Sequence, residues 1–419
     1  MPRSFDVLLW GATGFTGQLV AEYLARHYGV GRDLRWALGG RSKGKLEKVR
    51  AALAAVDPRA GELPLLVGDG TDRASLDRLA IDASVVCSTV GPYALHGREL
   101  VAACVEAGTD YCDLTGEPHF VRAMIDAHHE RAGATGARIV HCCGYDSIPS
   151  DLGTLMLQER AKKAHGAPCS AVKHLAGEAK GGMSGGTAAS MVALMDEASR
   201  DPGVRRLLND PYSLDPDRGD HGPDGHDQRG VRWDADLGMW TGPFLMAAIN
   251  TRVVRRTNAL LGYAWGRDFR YREAMSFGRG AKGWLTAAGV AAGTTLAMAA
   301  VAVAPVRRLV ADRVLPAPGE GPSKERRDAG FFVSRLVGTL PDGKGKLRGT
   351  VRGVSDPGYG ETAKMLSESA VCLAKDGEAI RKQGGVLTTA SCMGMRLVER
   401  LRDKGMTFDC TESGQEKRV

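Results

Sequence analysis

Three glycines, Gly11, Gly14 and Gly17, follow the apolar run Phe5-Asp6-Val7-Leu8-Leu9-Trp10 and precede Leu19, Val20, Tyr23 and Leu24 at helical spacing. A glycine turn between a strand and a helix can hold a phosphorylated ligand. Gly11 permits the tight turn, Gly14 lets backbone N–H groups approach a pyrophosphate, and Gly17 lets the helix lie against the strand. Thr13, Phe15 and Thr16 complete the turn and are expected at the ligand. After the next strand-like run, Leu34 to Leu38, the chain reads Gly39-Gly40-Arg41-Ser42-Lys43. An acid at this place would hold the ribose 2′-hydroxyl of NAD, whereas Arg41 and Ser42 suit a 2′-phosphate, so NADP(H) is the expected cofactor. A solvated basic turn is the bland alternative.

Proton transfer needs an acid within reach of the cofactor. Tyr93, Tyr145, Asp146 and His96 are the groups that the strand ends could offer. Each has a structural alternative: Tyr93 follows Gly91-Pro92 and could wall the cofactor, Asp146 could cap the helix from Ser150, and His96 could cap or pack. Glu117 reads as an acid in the first turn of its own helix, and Cys142 and Cys143 as buried strand residues.

These residues need a scaffold of alternating elements. Apolar runs recur at 63–67, 83–90, 110–114 and 138–143, separated by helical patterns at 95–107 and 117–134. Six strands with intervening helices make a doubly wound parallel α/β sheet, a Rossmann domain over 1–150. Its ligands bind at the carboxyl ends of the strands, where Asp69, Val90, Gly91, Pro92 and Tyr93 are expected at the cofactor and Tyr145 and Asp146 at the chemistry.

The second half is less periodic. A strand is expected from Ala171 to Glu178, then a glycine-rich loop at 181–187 leading into a helix at 188–199; the loop could cradle an anion or be a turn needing positive φ. Residues 209–230, rich in Asp, Gly, Pro and His, read as a long exposed loop, solvated rather than metal-binding. No metal site is expected. Phe331 to Leu340 and Lys346 to Val354 read as paired strands, and 315–329 as a linker. From Gly283 to Val306 there is no charged residue, but nine of these positions are alanine and three glycine. Two alternatives stand for this segment: a buried small-residue helix, or a peripheral membrane contact beside a basic flank.

Composition limits the functions further. The chain has 419 residues and a net charge of +7, too little for nucleic-acid binding by electrostatics alone. Eight Lys/Arg against two acids between Arg252 and Lys282 hold most of the excess. Nine scattered cysteines with no C-x-x-C pair fit a reduced, cytoplasmic protein, and a strand starting at Phe5 leaves no room for a cleaved signal.

The segments Gly11–Gly17, Thr89–Tyr93, Ala107–Tyr111, Asp113–Glu117 and Cys143–Gly153 together resemble the saccharopine dehydrogenase-like oxidoreductases, and most of all their trans-acting enoyl reductase branch. The resemblance continues through Asp210–Tyr212, Asn250–Arg256, Ser355–Tyr359 and Gly384–Thr389. It implies an α+β second domain over 151–355, containing the apolar segment, and C-terminal helices over 356–419 that return to the Rossmann domain. It also implies NADPH-dependent reduction of a C=C bond in a lipid or acyl chain carried by a polyketide synthase, in lipid or glycolipid synthesis. A homodimer and placement at the inner face of the plasma membrane are carried as expectations. Two other classes compete: a saccharopine-type amino-acid dehydrogenase, whose polycarboxylate substrate would need convergent Arg/Lys, and a catalytically silent dinucleotide-binding protein on membranes or lipid bodies.

Overall fold

The computed structural model describes residues 3–181, 185–217, 219, 222–302, 321–341, 343 and 345–412. Strands β1 (Phe5–Trp10), β2 (Trp36–Gly40), β3 (Leu65–Val67), β4 (Ala83–Ser88), β5 (Asp110–Asp113) and β6 (Arg138–Val140) alternate with helices. The chain then runs through β7 (Ala171–Lys180), β8 (Arg232–Asp234), β9 (Met239–Gly242), β10 (Arg270–Ser276), β11 (Phe331–Thr339) and β12 (Lys346–Gly353), and ends with β13 (Gly385–Leu387) and β14 (Thr407–Glu412).

The first sheet has the order β13-β6-β5-β4-β1-β2-β3, parallel throughout. Helices cover both faces, so β1 and β2 are buried on each side and read as continuous apolar runs rather than alternating ones. The strand order reverses between β1 and β4, which opens a crevice at their carboxyl ends. The second sheet, β14-β12-β11-β7-β10-β9-β8, is mixed: β7 and β10 run parallel and the other pairs antiparallel. The expected hairpin of β11 and β12 forms as read. Together the two sheets make a doubly wound parallel domain with an α+β partner.

The layers interlock more than a division at 150 and 355 implies. The helix Ile148–His165 crosses the first boundary, and its Gly153 lies where a Cβ would come 3.1 Å from both Leu336 and Val351 of the second sheet. The C-terminal segment divides: the helix Thr362–Lys375 packs on β1, β4 and β5, β13 extends the parallel sheet, and β14 pairs with β12 instead of returning. Without β14 the outer edge of β12 would leave a row of unpaired backbone groups.

Two sequence expectations are corrected here. The described residues of 209–230 form a loop, as expected, but one only partly solvated: Ser213, Leu214 and Asp215 are buried, while Pro216, Asp217, His226 and Arg229 are exposed. Arg252, Arg255 and Arg256, buried on the helix Ala247–Leu260, pin the segment down. Arg252 pairs with Asp227, Arg255 pairs with Asp224 at 2.8 Å, and Arg256 donates to the carbonyl of Leu214 at 2.6 Å. Three of the eight cations in the basic cluster are therefore interior staples. Positions 218, 220 and 221 lie outside the described residues, and so does His221 with Asp220. The second correction concerns the apolar segment: residues 280–302 form one helix, anchored by buried Gly283 and Ala287 and otherwise largely exposed, so it is not a core helix. Residues 303–306, the following Arg307, Arg308 and Arg313, the start of the expected linker at 315–320, and 182–184 of the glycine-rich loop lie outside the described residues.

Candidate active site

The glycine turn is built as its spacing requires. Gly11 has φ +88°, and a Cβ there would lie 2.6 Å from Val90 Cγ2 and 2.8 Å from Thr89 Oγ1, so the turn packs directly on the end of β4. A Cβ at Gly17 would overlap the Gly11 carbonyl oxygen and approach Ala12 Cα at 2.9 Å. Gly14 differs: it is in extended conformation, and its Cβ would meet nothing nearer than the Gly11 oxygen at 3.4 Å. Gly14 caps the helix Phe15–Tyr28 with no side-chain hydrogen bond and no acid in the first turn, which leaves the positive end of the helix uncompensated. Such an end suits a pyrophosphate.

The neighbouring residues divide between ligand and scaffold. Thr16 faces the cavity, whereas the Phe15 ring meets Tyr359 edge-on at 5.2 Å with the Arg327 guanidinium 5.5 Å from its centroid. Thr13 sits between the turn and β2, where a Cβ on Gly40 would be 3.8 Å from its Cγ2. Arg41 is exposed just past β2, and Ser42 Oγ accepts from Lys45 N–H at 3.4 Å, capping the next helix. Asp69 accepts from the N–H and hydroxyl of Thr71, which hold its carboxyl below the usual range with a smaller contribution from Arg41.

At the end of β4, Thr89 N–H donates to the Trp10 carbonyl and its hydroxyl to that of Gly11, tying the strand ends together. Val90 packs partly buried, Gly91 lines the cavity, and the Gly91-Pro92 peptide is cis. Tyr93 borders the cavity, but its hydroxyl donates to the Ser88 carbonyl at 3.0 Å and burial pushes its pKa far up, so the phenol is committed to the scaffold. His96 is exposed at the end of the short helix Tyr93–His96 and does not line the cavity, which removes it as a proton donor. Glu117 is not an acid for its own helix: its two oxygens accept from Tyr93 and Ala94 N–H at 3.0 and 2.9 Å and cap that short helix instead.

Tyr145 and Asp146 come together at the end of β6. Tyr145 N–H donates to Thr362 Oγ1 at 3.0 Å, its ring meets Phe332 at 4.9 Å, and its hydroxyl makes no hydrogen bond among the described residues. The carboxyl of Asp146 likewise accepts none from them; it does not cap the helix, and burial pushes its pKa up to about 6. A carboxyl with no donor keeps its proton to a higher pH than an ordinary one.

Sequence reading missed what aims it. Ser147 has φ +99°, a strained value for a residue with a Cβ, and its hydroxyl donates to Asn250 Oδ1 at 3.0 Å. Asn250 donates in turn to Glu273 Oε2 at 3.0 Å, and Tyr271 to the other oxygen at 2.6 Å. Burial raises Glu273 to about 7. The pattern Asn250 to Arg256 was visible as a motif, but nothing in it pointed to Ser147.

Thr16, Gly91, Gly116, Tyr145 and Asp146 line a cavity of about 610 Å³ whose surface is mostly apolar, from Met191, Leu194, Met195, Leu208, Ile249 and Met298, with Arg205, Asn209, Gln228 and Arg229 among its polar lining. Spacing of i, i+3, i+4 and i+7 at Met191, Leu194, Met195 and Ala198 was the available signal for this wall.

Residues 7–140 match the saccharopine dehydrogenase NADP binding domain family. Over the whole chain, a Mycobacterium bovis protein named trans-acting enoyl reductase is 41% identical across 98% of both chains, and the Mycobacterium leprae protein of that name is 40% identical across 98% of both. A Mycobacterium tuberculosis relative also named in this group is 44% identical across 98% of both. The chain belongs to the trans-acting enoyl reductase family. The apo saccharopine dehydrogenase (L-Glu forming) of Saccharomyces cerevisiae shares the fold, with TM-score 0.52, 15% identity and coverage of 97% of this chain and 99% of that one.

The family member is thus an NADP-dependent oxidoreductase, and its glycine cradle and uncapped helix end fit the dinucleotide. The expectation that Arg41 meets the 2′-phosphate is tested by Arg41→Ala, which on that reading weakens NADPH binding by about 10- to 100-fold, the loss of a charge-assisted contact, and leaves NADH nearly unchanged. Fluorescence titration of both cofactors checks this; equal wild-type affinities would rule it out.

Proposed function

We propose that this protein reduces a carbon–carbon double bond conjugated to the carbonyl of a long acyl chain, presented by a polyketide synthase during assembly of a lipid or glycolipid. The observation that carries this proposal is the cavity: Tyr145 and Asp146 share with Thr16 of the glycine turn a lining that is mostly apolar, much of it methionine and leucine. The names of the relatives point the same way. Nine free cysteines, eight of them buried, fit residence in a reducing cytoplasm.

Bound NADPH supplies the hydride. The turn from Gly11 to Gly17, with Thr16, would hold its phosphates, Arg41 and Ser42 would meet its 2′-phosphate, and Thr89 to Tyr93 would wall the nicotinamide side. Asp146 would give its proton to the α-carbon, the β-carbon taking the hydride that bound NADPH would supply, and would be reprotonated from solvent. Tyr145 steadies the carbonyl oxygen through its hydroxyl. Apolar walls take the chain and exclude water.

A polycarboxylate substrate fits less well, because the lining is mostly apolar and the one buried cation on it among the described residues, Arg252, is neutralised by Asp227. Arg252 binds Asp227 and the Leu208 carbonyl, Arg229 donates to Asn209 Oδ1, and Arg205 donates to the carbonyls of Ala198 and Ser199. The test sets NADPH oxidation with a long-chain 2-enoyl thioester against NADP+ reduction with saccharopine. Turnover of the enoyl thioester alone is expected; turnover of saccharopine alone would overturn the assignment.

A further inference from the structure

The helix 280–302 has an unusual surface for its place in the fold. It rests on β9, with the Ala287 carbonyl against Gly242, packs Gly283 on Phe277 and Gly278, leans on the helix 185–200, and leaves most of its other described side chains exposed. Leu285 is 62% exposed and Leu296 70%, and only about a tenth of its most apolar window is buried. By length and composition it could cross a bilayer. No charged residue occurs between Gly283 and Ala302, while Arg279 and Lys282 stand exposed at its start with Trp284 next to them. Cations and an indole beside an apolar stretch form the pattern of a segment held at a membrane interface. An apolar surface of this size seldom faces water without a partner.

A second observation links this helix to the cavity. Met298, 41% exposed, and Leu245, 43% exposed, belong both to the surface and to the cavity wall. Part of the cavity wall therefore lies at the surface, on and beside the exposed helix.

We propose that helix 280–302 and the cavity mouth at Leu245 and Met298 dock on the surface of an anionic lipid bilayer, so that an acyl chain reaches the cavity without crossing water. The acyl part of this statement rests on the proposed function; the docking itself rests on the helix. The cations that serve are Arg279 and Lys282, since Arg252, Arg255 and Arg256 are buried structural groups.

The test is flotation of the full-length protein with phosphatidylglycerol/phosphatidylcholine vesicles and with phosphatidylcholine alone. Binding to anionic vesicles that falls with salt is expected. Leu285→Glu with Leu296→Glu should abolish it, and Arg279→Ala with Lys282→Ala should weaken partition on the order of tenfold. None of these four residues lines the cavity, so NADPH affinity and reduction of a short, soluble enoyl thioester should stay unchanged, which keeps this test separate from the proposed reaction. Wild-type protein that stays with neither vesicle at low salt would overturn the proposal. So would a dimer in sedimentation that the double Glu variant converts to monomer, because the helix would then be a subunit interface.

Discussion

Asp146→Asn is expected to lower kcat by about 10²- to 10⁴-fold, the usual contribution of a placed acid, while leaving NADPH affinity intact. The wild-type pH profile should identify the same group. With its pKa pushed up to about 6, Asp146 carries a proton below that pH and loses it above, so kcat/KM falls as pH rises through about 6. The Asn variant should lack this limb. Tyr145 gives a contrasting signature: burial, and then the nearby Asp146, push its pKa far upward, so a tyrosine donor would stay protonated and give a flat profile from pH 5 to 9. A flat wild-type profile, with the large loss in Tyr145→Phe instead, would assign the proton to tyrosine.

In Asp146→Asn stability moves the opposite way from activity, although in the wild type both fall as pH rises through about 6. The folded pKa of Asp146 lies above its ordinary 3.8, so the fold favours the neutral form. That advantage is complete below pH 3.8 and is lost as pH rises through about 6, beyond which the wild type bears an ionised carboxyl with no donor. Two pKa units correspond to about 3 kcal/mol, an upper bound for what Asn relieves. The variant should therefore melt higher at pH 8 and no higher at pH 4. A less stable variant at pH 8 would mean that the carboxylate has partners in solution.

The parallel sheet was legible because strands buried on both faces leave unbroken apolar runs, and the glycine turn because each glycine answers to a steric demand. Shorter or longer-range features were not. Strand β13 is three residues long and carries no signal of its own. Residues 209–230 have the composition of a solvated loop, and only the buried arginines of a later helix, pairing with Asp224 and Asp227, show that part of the loop is packed. Glu117 serves a helix 24 residues earlier in the chain. Periodicity could not decide whether 283–306 is buried, since alanine and glycine occur on every face of that helix. In the site, the residue types of Tyr93, Tyr145 and Asp146 were visible but their orientation was not. That depends on a Ser88 carbonyl for Tyr93, and for Asp146 on a positive φ at Ser147 secured from another domain.

The contrast between Gly14 and Gly17 separates cofactor binding from folding. Gly14→Val should reduce NADPH affinity by ~100-fold or more, because the branched side chain fills the space in front of the uncapped helix end where a pyrophosphate must lie. The fold should scarcely notice. Gly14 sits at φ −76° and ψ 166°, which valine adopts readily, and its Cβ meets only the Gly11 oxygen at an ordinary 3.4 Å. A weaker helix cap costs about 1 kcal/mol at most, and the stiffer unfolded chain offsets part of it. Gly17→Val is the opposite case. Its Cβ would overlap the Gly11 carbonyl and crowd Ala12 Cα, both backbone atoms of the turn that cannot swing aside, so a loss of more than ~3 kcal/mol is expected. Calorimetry with NADPH, paired with thermal melts of both variants, distinguishes the two roles. Tight NADPH binding by Gly14→Val would show that the phosphates lie elsewhere, and a Gly14→Val protein as unstable as Gly17→Val would show that the open face seen here is filled in solution.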